Sequence, residues 1–260
     1  MNKMHITAFV GSARKGNTYH AVQRFLLHLQ SLGTIDYEIV PLSDYRIVVC
    51  RGCKLCMDKG EELCPLKDDR DLLIDKMQKS DGVIFATPNY AFQVSGLMKI
   101  FLDRIAFFFH RPRFFGKTCT GIVSQGIYGG TKIVKYLDFI GKAMGFNVVK
   151  GRCFTALEPI SDRDQAKIDR MIATHARAFH SRLVRQKLPR PGLFDLMIFR
   201  MSRTKIRMML DENSRDYTWY RDTGWFESDF YYPVRLGPVR KGAGKFFDWA
   251  AARMSTNSSG

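Results

Sequence analysis

Ala8-Phe9-Val10-Gly11-Ser12-Ala13-Arg14-Lys15-Gly16-Asn17-Thr18-Tyr19 decides how this chain is read. Apolar residues end at Gly11, a loop rich in hydroxyl and amide side chains follows, and from Tyr19 to Leu32 apolar positions recur at helical spacing until Gly33. A loop that leaves a buried strand and enters a helix aims backbone N–H groups and the positive helix end at one spot, which suits an anion. The dinucleotide pattern G-x-G-x-x-G is absent. A Walker loop would place Lys after its second glycine, where this chain has Asn17, so the charge that clamps a triphosphate is missing. The residues suit a single terminal phosphate, with Ser12, Asn17 and Thr18 as donors and Arg14 as the charge. Taken alone, the motif is also readable as a tight strand-to-helix turn with an N-cap.

Working outward, Tyr37–Val40, Gly82–Ala86, Cys119–Ser124 and Phe146–Val149 read as further strands. Helical patterns cover about 67–79, 95–109, 130–144 and 161–186. Alternation at this spacing implies right-handed crossovers and an α/β, doubly wound, five-stranded parallel sheet with helices on both faces. Pro189-Arg190-Pro191-Gly192 breaks the alternation. The expected division is 1–187 for the sheet domain and 188–260 for a helical, aromatic-rich C-terminal extension.

Composition narrows the classes. Of 260 residues 45% are hydrophobic and 13% aromatic, enough for a core and too many for a disordered chain. Apolar runs of a few residues, such as Ile105–Phe109, are far too short to span a membrane. Gly11 interrupts the N-terminal apolar stretch before a signal core can form, so a cytoplasmic address is expected. The net charge of +16 draws anions: phosphates, acidic redox partners or an anionic membrane. No nucleic-acid motif accompanies it, and specific nucleic-acid binding is not expected.

Two further stretches join the first loop. Thr87-Pro88-Asn89-Tyr90, followed by Ser95-Gly96-Leu97-Met98-Lys99 and Phe101-Leu102-Asp103-Arg104, lies after the third strand; Gln125-Gly126-Ile127-Tyr128-Gly129-Gly130 lies after the fourth. In order and position these three loops resemble those of the NADPH-dependent FMN reductase family of the flavodoxin-like fold, over about residues 3–180. The resemblance implies FMN, with its phosphate at Ser12, Arg14, Asn17 and Thr18. It places the isoalloxazine ring between Pro88, Asn89 and Tyr90 on one side and Gly126, Tyr128, Gly129 and Gly130 on the other. Physical chemistry agrees: ligands of open α/β sheets bind beyond the carboxyl ends of the strands. A flat ring also needs close backbone approach and aromatic faces, here Tyr90, Phe92 and Tyr128. Asp103 and Arg104 read as a helix-face or interface pair rather than flavin ligands.

Cys50, Cys53, Cys56 and Cys64 place four of the six cysteines within 15 residues. Two-residue spacings let successive thiolates reach adjacent corners of a cubane. The pattern resembles that of the iron–sulfur flavoproteins, which carry a compact motif for a [4Fe–4S] cluster. Zinc on the same sulfurs, and a loop holding no metal, both remain open on spacing alone. Cys119 and Cys153 read as buried apolar residues.

Phe107–Phe115, with Arg111 and Arg113, reads first as a subunit interface that buries phenylalanines between protomers of a homodimer or homotetramer; nicotinamide phosphates or an acidic partner are the alternatives for the arginines. In the extension Phe194, Met197, Ile198, Met201, Met208 and Met209 share one helical face and Arg200, Arg203 and Arg207 another. The expected arrangement covers a core with the apolar face and solvates the arginines; membrane-surface contact is the less favoured reading. Trp219, Trp225, Phe226, Phe230, Tyr231 and Tyr232 read as a lid or a subunit contact. Together these features point to an FMN-dependent oxidoreductase: NAD(P)H as co-substrate delivers hydride to the flavin, and electrons pass to a quinone, another small acceptor or a redox protein. The rival is an iron–sulfur electron carrier without its own substrate site.

Overall fold

The computed structural model describes residues 3–256, which divide into two compact units. The first comprises residues up to Arg51 together with Leu66–Leu188; the second comprises Gly52–Pro65 and the residues from Pro189. The cysteine segment from 52 to 65 therefore groups with the C-terminal residues.

In the first unit β1 (Met4–Val10) is an inner strand of the sheet, and almost every residue in it is buried. It pairs in parallel with β2 (Ile35–Pro41) on one side and β3 (Gly82–Pro88) on the other; β3 pairs with β4 (Thr118–Gln125). The outer edge of β4 carries two short strands in succession, β5 (Asn147–Val148) and β6 (Arg152–Thr155). Strand order is 2-1-3-4-5, the flavodoxin-like arrangement. The fifth strand expected at 146–149 is thus interrupted and resumes at 152. Gly151 forms the break: a Cβ there would lie 2.8 Å from the Gly121 carbonyl oxygen, and its N–H donates to Asp138.

Connections are the helices α1 (Asn17–Gln30), the short α2 (Leu55–Asp58), α3 (Arg70–Lys79), α4 (Gly96–Arg104), α5 (Gly130–Ala143) and α6 (Asp162–Arg185). Side-chain alternation along β1 sends Met4, Ile6, Ala8 and Val10 to one face, where α1 and α6 cover them with Val22, Phe25, Leu29, Ile172 and Phe179. Phe9 faces the other way and stacks on Phe85 and Phe101 of α4.

The helix expected over 95–109 stops at Arg104 and tightens into a 3-10 turn at Ala106–Phe109. That turn drives Phe107 and Phe108 into the unit's own core, where Phe108 meets Phe114 and Phe114 stacks on Phe146 at 4.4 Å. The aromatic stretch is therefore core, which corrects its reading as a subunit interface: Phe107, Phe108 and Phe114 have no surface left for a second protomer.

The second unit contains α2, α7 (Leu193–Met209), α8 (Arg215–Asp222) and α9 (Pro238–Thr256). Its core is aromatic. Tyr220 packs edge-on to Trp225, Trp225 on Tyr231, and Phe199 of α7 on Phe230 and Tyr231. The aromatic cluster read as a lid or subunit contact is thus this unit's interior. Helix α7 sits the opposite way round from expectation. Leu196, Phe199 and Arg200 face inward, while Phe194, Ile198, Met208 and Met209 face out. Acids supply the reason: Asp248 of α9 accepts from Arg200, Arg203 and Thr204, and Asp229 pairs with Arg200. Arginines neutralised in this way can be buried. Among the described residues no helix is long and apolar enough to cross a membrane.

Candidate functional site

Beyond β1 the chain turns at Gly11, whose conformation leaves no room for a side chain. A Cβ would lie 2.7 Å from Ser95 Oγ and 2.8 Å from Met98 Cβ. Ser95 caps α4 by accepting from Met98 N–H and donates its own hydroxyl to the Gly11 carbonyl, tying the first loop to the second. Helix α1 begins after Gly16, which offers no side-chain cap, and the first helical bond is His20 N–H to Gly16 O. The N–H groups of Asn17, Thr18 and Tyr19 thus precede the helical ladder and stand at its positive end. Ser12 donates to Arg14 O, shaping the loop from within. Arg14 is exposed at its rim. Thr18 is buried with its hydroxyl 2.6 Å from that of Ser124 on β4, so its side chain anchors α1 to the sheet. Asn17 donates to Glu158. No motif in the sequence announced this carboxylate beside the loop.

The second loop leaves β3 at Pro88, which is buried, and Asn89 continues the ladder through its N–H to Ser124 O. Tyr90 and Gln93 exchange backbone hydrogen bonds around Ala91 and Phe92, both at positive φ (49° and 61°). Hairpin turns of this kind normally use Asn-Gly; side chains there store strain and hold the flanking aromatics in one orientation. In the third loop Gly129 has φ 97°, with Phe92 2.8 Å from where its Cβ would be, and at Gly130 a Cβ would lie 2.3 Å from the Cys153 sulfur. At Gly126, by contrast, a Cβ would meet only Leu157, at 4.0 Å. Asn89 Nδ2 donates to Tyr128 O and Phe92 packs on Tyr128 at 5.2 Å, so the second and third loops form one rim. Gln125 braces it by accepting from Gly130 N–H and donating to Thr155. Tyr90, Phe92, Ile127 and Tyr128 nevertheless remain more than half exposed. Burial pushes the neighbouring Cys153 thiol up to about 11, which keeps it protonated and unreactive.

The cysteine segment leaves the sheet domain between two clamped ends. Asp68 accepts from Val48 N–H and pairs with Arg104, which also donates to Val48 O. The Asp68 and Arg104 side chains are each only 1% exposed. Arg104 is therefore an internal brace, which replaces its reading as a helix-face or interface residue, and its charge together with the Val48 and Arg70 N–H groups holds the Asp68 carboxyl below its usual range against the cost of burial. Cys50 and Cys53 are exposed, and Cys56 and Cys64 are half-buried. Among the described residues no three His, Cys, Asp or Glu side chains are placed to hold a metal ion.

The profile of a protein family described as NADPH-dependent FMN reductase matches residues 4–157. The chain belongs to that family. An iron–sulfur flavoprotein of Archaeoglobus fulgidus is 30% identical over 236 residues, 85% of this chain and 100% of its own length. Another, from Methanocaldococcus jannaschii, is 35% identical over 102 residues, 39% of this chain and 51% of its own. Among solved structures RosB, crystallised with 8-demethyl-8-formylriboflavin-5'-phosphate, superposes with a TM-score of 0.59 at 11% identity, covering 90% of this chain and 92% of that one, which speaks for the fold.

As a member of this family the chain is a flavin oxidoreductase, and three features of its loops suit the cofactor. The α1 N-terminus can receive a phosphate, the glycines at 11 and 129 keep the loops tight, and Asn89 Oδ1 is buried beside the rim with no hydrogen-bond partner. The thiol donors suit a cluster by chemistry, but their placement does not assemble one.

Proposed function

We propose that this reductase binds FMN at the three loops and carries electrons from NAD(P)H to a quinone, another small acceptor or a redox protein. The observation that carries this reading is the convergence of the α1 N-terminus, the Pro88–Tyr90 loop and the Gly126–Gly130 loop at the carboxyl ends of β1, β3 and β4. FMN held there would supply the redox chemistry, namely hydride acceptance from reduced nicotinamide and electron delivery to an acceptor. The chain's part is to hold and shield. The N–H groups of Asn17 and Thr18, with Arg14, receive the phosphate; Ser12 and the Thr18 side chain keep the loop and helix in position for it. Pro88, Asn89 and Tyr90 on one side and Gly126, Tyr128, Gly129 and Gly130 on the other flank the ring, with Phe92 restricting solvent at the rim.

Cys50, Cys53, Cys56 and Cys64 are proposed as [4Fe–4S] ligands, on their spacing and on the names of the relatives. Among the described residues no three of these thiols are placed to hold a metal ion. Cofactor analysis of anaerobically purified protein tests both parts. The expected result is one FMN per chain, with iron and sulfide that disappear in Cys56→Ser while FMN stays. Protein that binds no FMN overturns the flavin assignment. Protein with FMN but no iron, or with zinc instead, overturns only the cluster.

A further inference from the structure

Helix α9 has two unlike faces. Its inward face carries Gly244, Asp248, Ala251 and Ser255, where Asp248 meets Arg200, Arg203 and Thr204 of α7. Gly244 allows the close approach, since a Cβ there would lie 3.2 Å from the Arg200 guanidinium. The outward face carries Val239, Phe246, Trp249 and Met254, all more than half exposed; Phe246 is 58% and Trp249 56% exposed. Their rings pack on each other at 5.8 Å, and the Arg253 guanidinium lies 5.6 Å from the Trp249 centroid. Lys241 and Lys245 stand exposed beside them. Asp248 is the only acid from Pro238 to Thr256 and is spent on the inward arginines, so the outward face bears cations and no anion.

We propose that the outward face of α9 docks on an anionic phospholipid surface. A Trp–Phe pair flanked by Lys245 and Arg253 matches the acyl–headgroup boundary, where aromatic rings enter the interface and cations meet phosphates. The charge pattern selects this occupant. A second copy would set Lys241, Lys245 and Arg253 against like charges on a chain of net charge +16, whereas an anionic bilayer attracts them. The face lies at the surface, as no helix among the described residues is built to span a bilayer. The α7 arginines do not take part, since Arg200 and Arg203 are bound to Asp229 and Asp248.

The test is sedimentation of the full-length, FMN-loaded protein with vesicles of phosphatidylcholine alone and of phosphatidylcholine with phosphatidylglycerol. Binding is expected only to the second, with a blue shift of tryptophan emission that Trp249→Phe removes. Lys241→Glu with Lys245→Glu is expected to weaken binding about thirtyfold or more, from roughly one contribution per cation. Phe246→Ser with Trp249→Ser is expected to abolish the salt-resistant part. Both double variants should keep wild-type flavin content and turnover with a soluble acceptor, which shows that they fold. Failure of the wild type to sediment with anionic vesicles overturns the proposal, as does binding that both double variants retain. A stable dimer in analytical ultracentrifugation that Phe246→Ser with Trp249→Ser dissociates also overturns it, by assigning the face to a second copy.

Discussion

Glu158 sets the residue scale, because its carboxylate sits where the neighbouring loop is built for an anion. Held to Asn17 at 3.1 Å, it would oppose the phosphate proposed at the α1 N-terminus, which Arg14 would favour. Glu158→Gln keeps the hydrogen bond to Asn17 and removes the charge. FMN affinity is expected to rise by about two- to fivefold, the scale of one exposed charge interaction. Arg14→Ala is expected to lower it by about tenfold or more, as a charge-assisted contact is lost. Fluorescence titration measures both, and a weaker Glu158→Gln complex would show that Glu158 supports the phosphate instead of opposing it. The loop itself was legible because glycine, hydroxyl and amide side chains follow an apolar strand. Glu158 was not, since 141 positions separate it from Asn17 and only the completed sheet brings them together.

At the scale of elements, α6 docks on β4 through His175, which is buried against Phe25. Thr120 Oγ1 donates to Val149 O, so it accepts from His175 Nε2, and burial lowers the imidazole pKa from 6.5 to about 4. Below pH 6.5 the unfolded chain takes up a proton that the folded chain refuses. Stability is thus complete above pH 6.5 and falls until the folded pKa is passed, by about 3 kcal/mol. Thermal unfolding of His175→Gln should lose less stability than wild type between pH 6.5 and 4; equal losses would assign the acid sensitivity to other groups. Local periodicity made most helices and strands readable. It misled where partners are distant: Arg200 and Arg203 looked like a solvated stripe until Asp248, 48 and 45 residues away, turned that stripe inward. Phe107, Phe108 and Phe114 similarly read as an interface because nothing local indicates that they pack on one another and that Phe114 stacks on the distant Phe146. The glycine at 151 had no local explanation because the atom that excludes a side chain there is the Gly121 carbonyl oxygen of another strand.

At the scale of the sheet, the order 2-1-3-4-5 means that strand order reverses between β1 and β3, and the three loops follow the carboxyl ends of β1, β3 and β4 beside that switch. Alternating strands and helices made this much legible in the sequence. The cysteines showed their chemistry by spacing, but the fold groups residues 52–65 with the C-terminal unit, which no local pattern foretold. The net charge of +16 favours encounter with an anionic nicotinamide dinucleotide. The central claim is that those loops hold FMN and admit reduced nicotinamide. Anaerobic titration of the FMN-loaded protein with NADPH, and in parallel with NADH, tests it most directly. Stoichiometric loss of the oxidised-flavin absorbance with at least one nucleotide is the predicted result; FMN that stays oxidised with both would contradict the oxidoreductase account and leave an electron carrier.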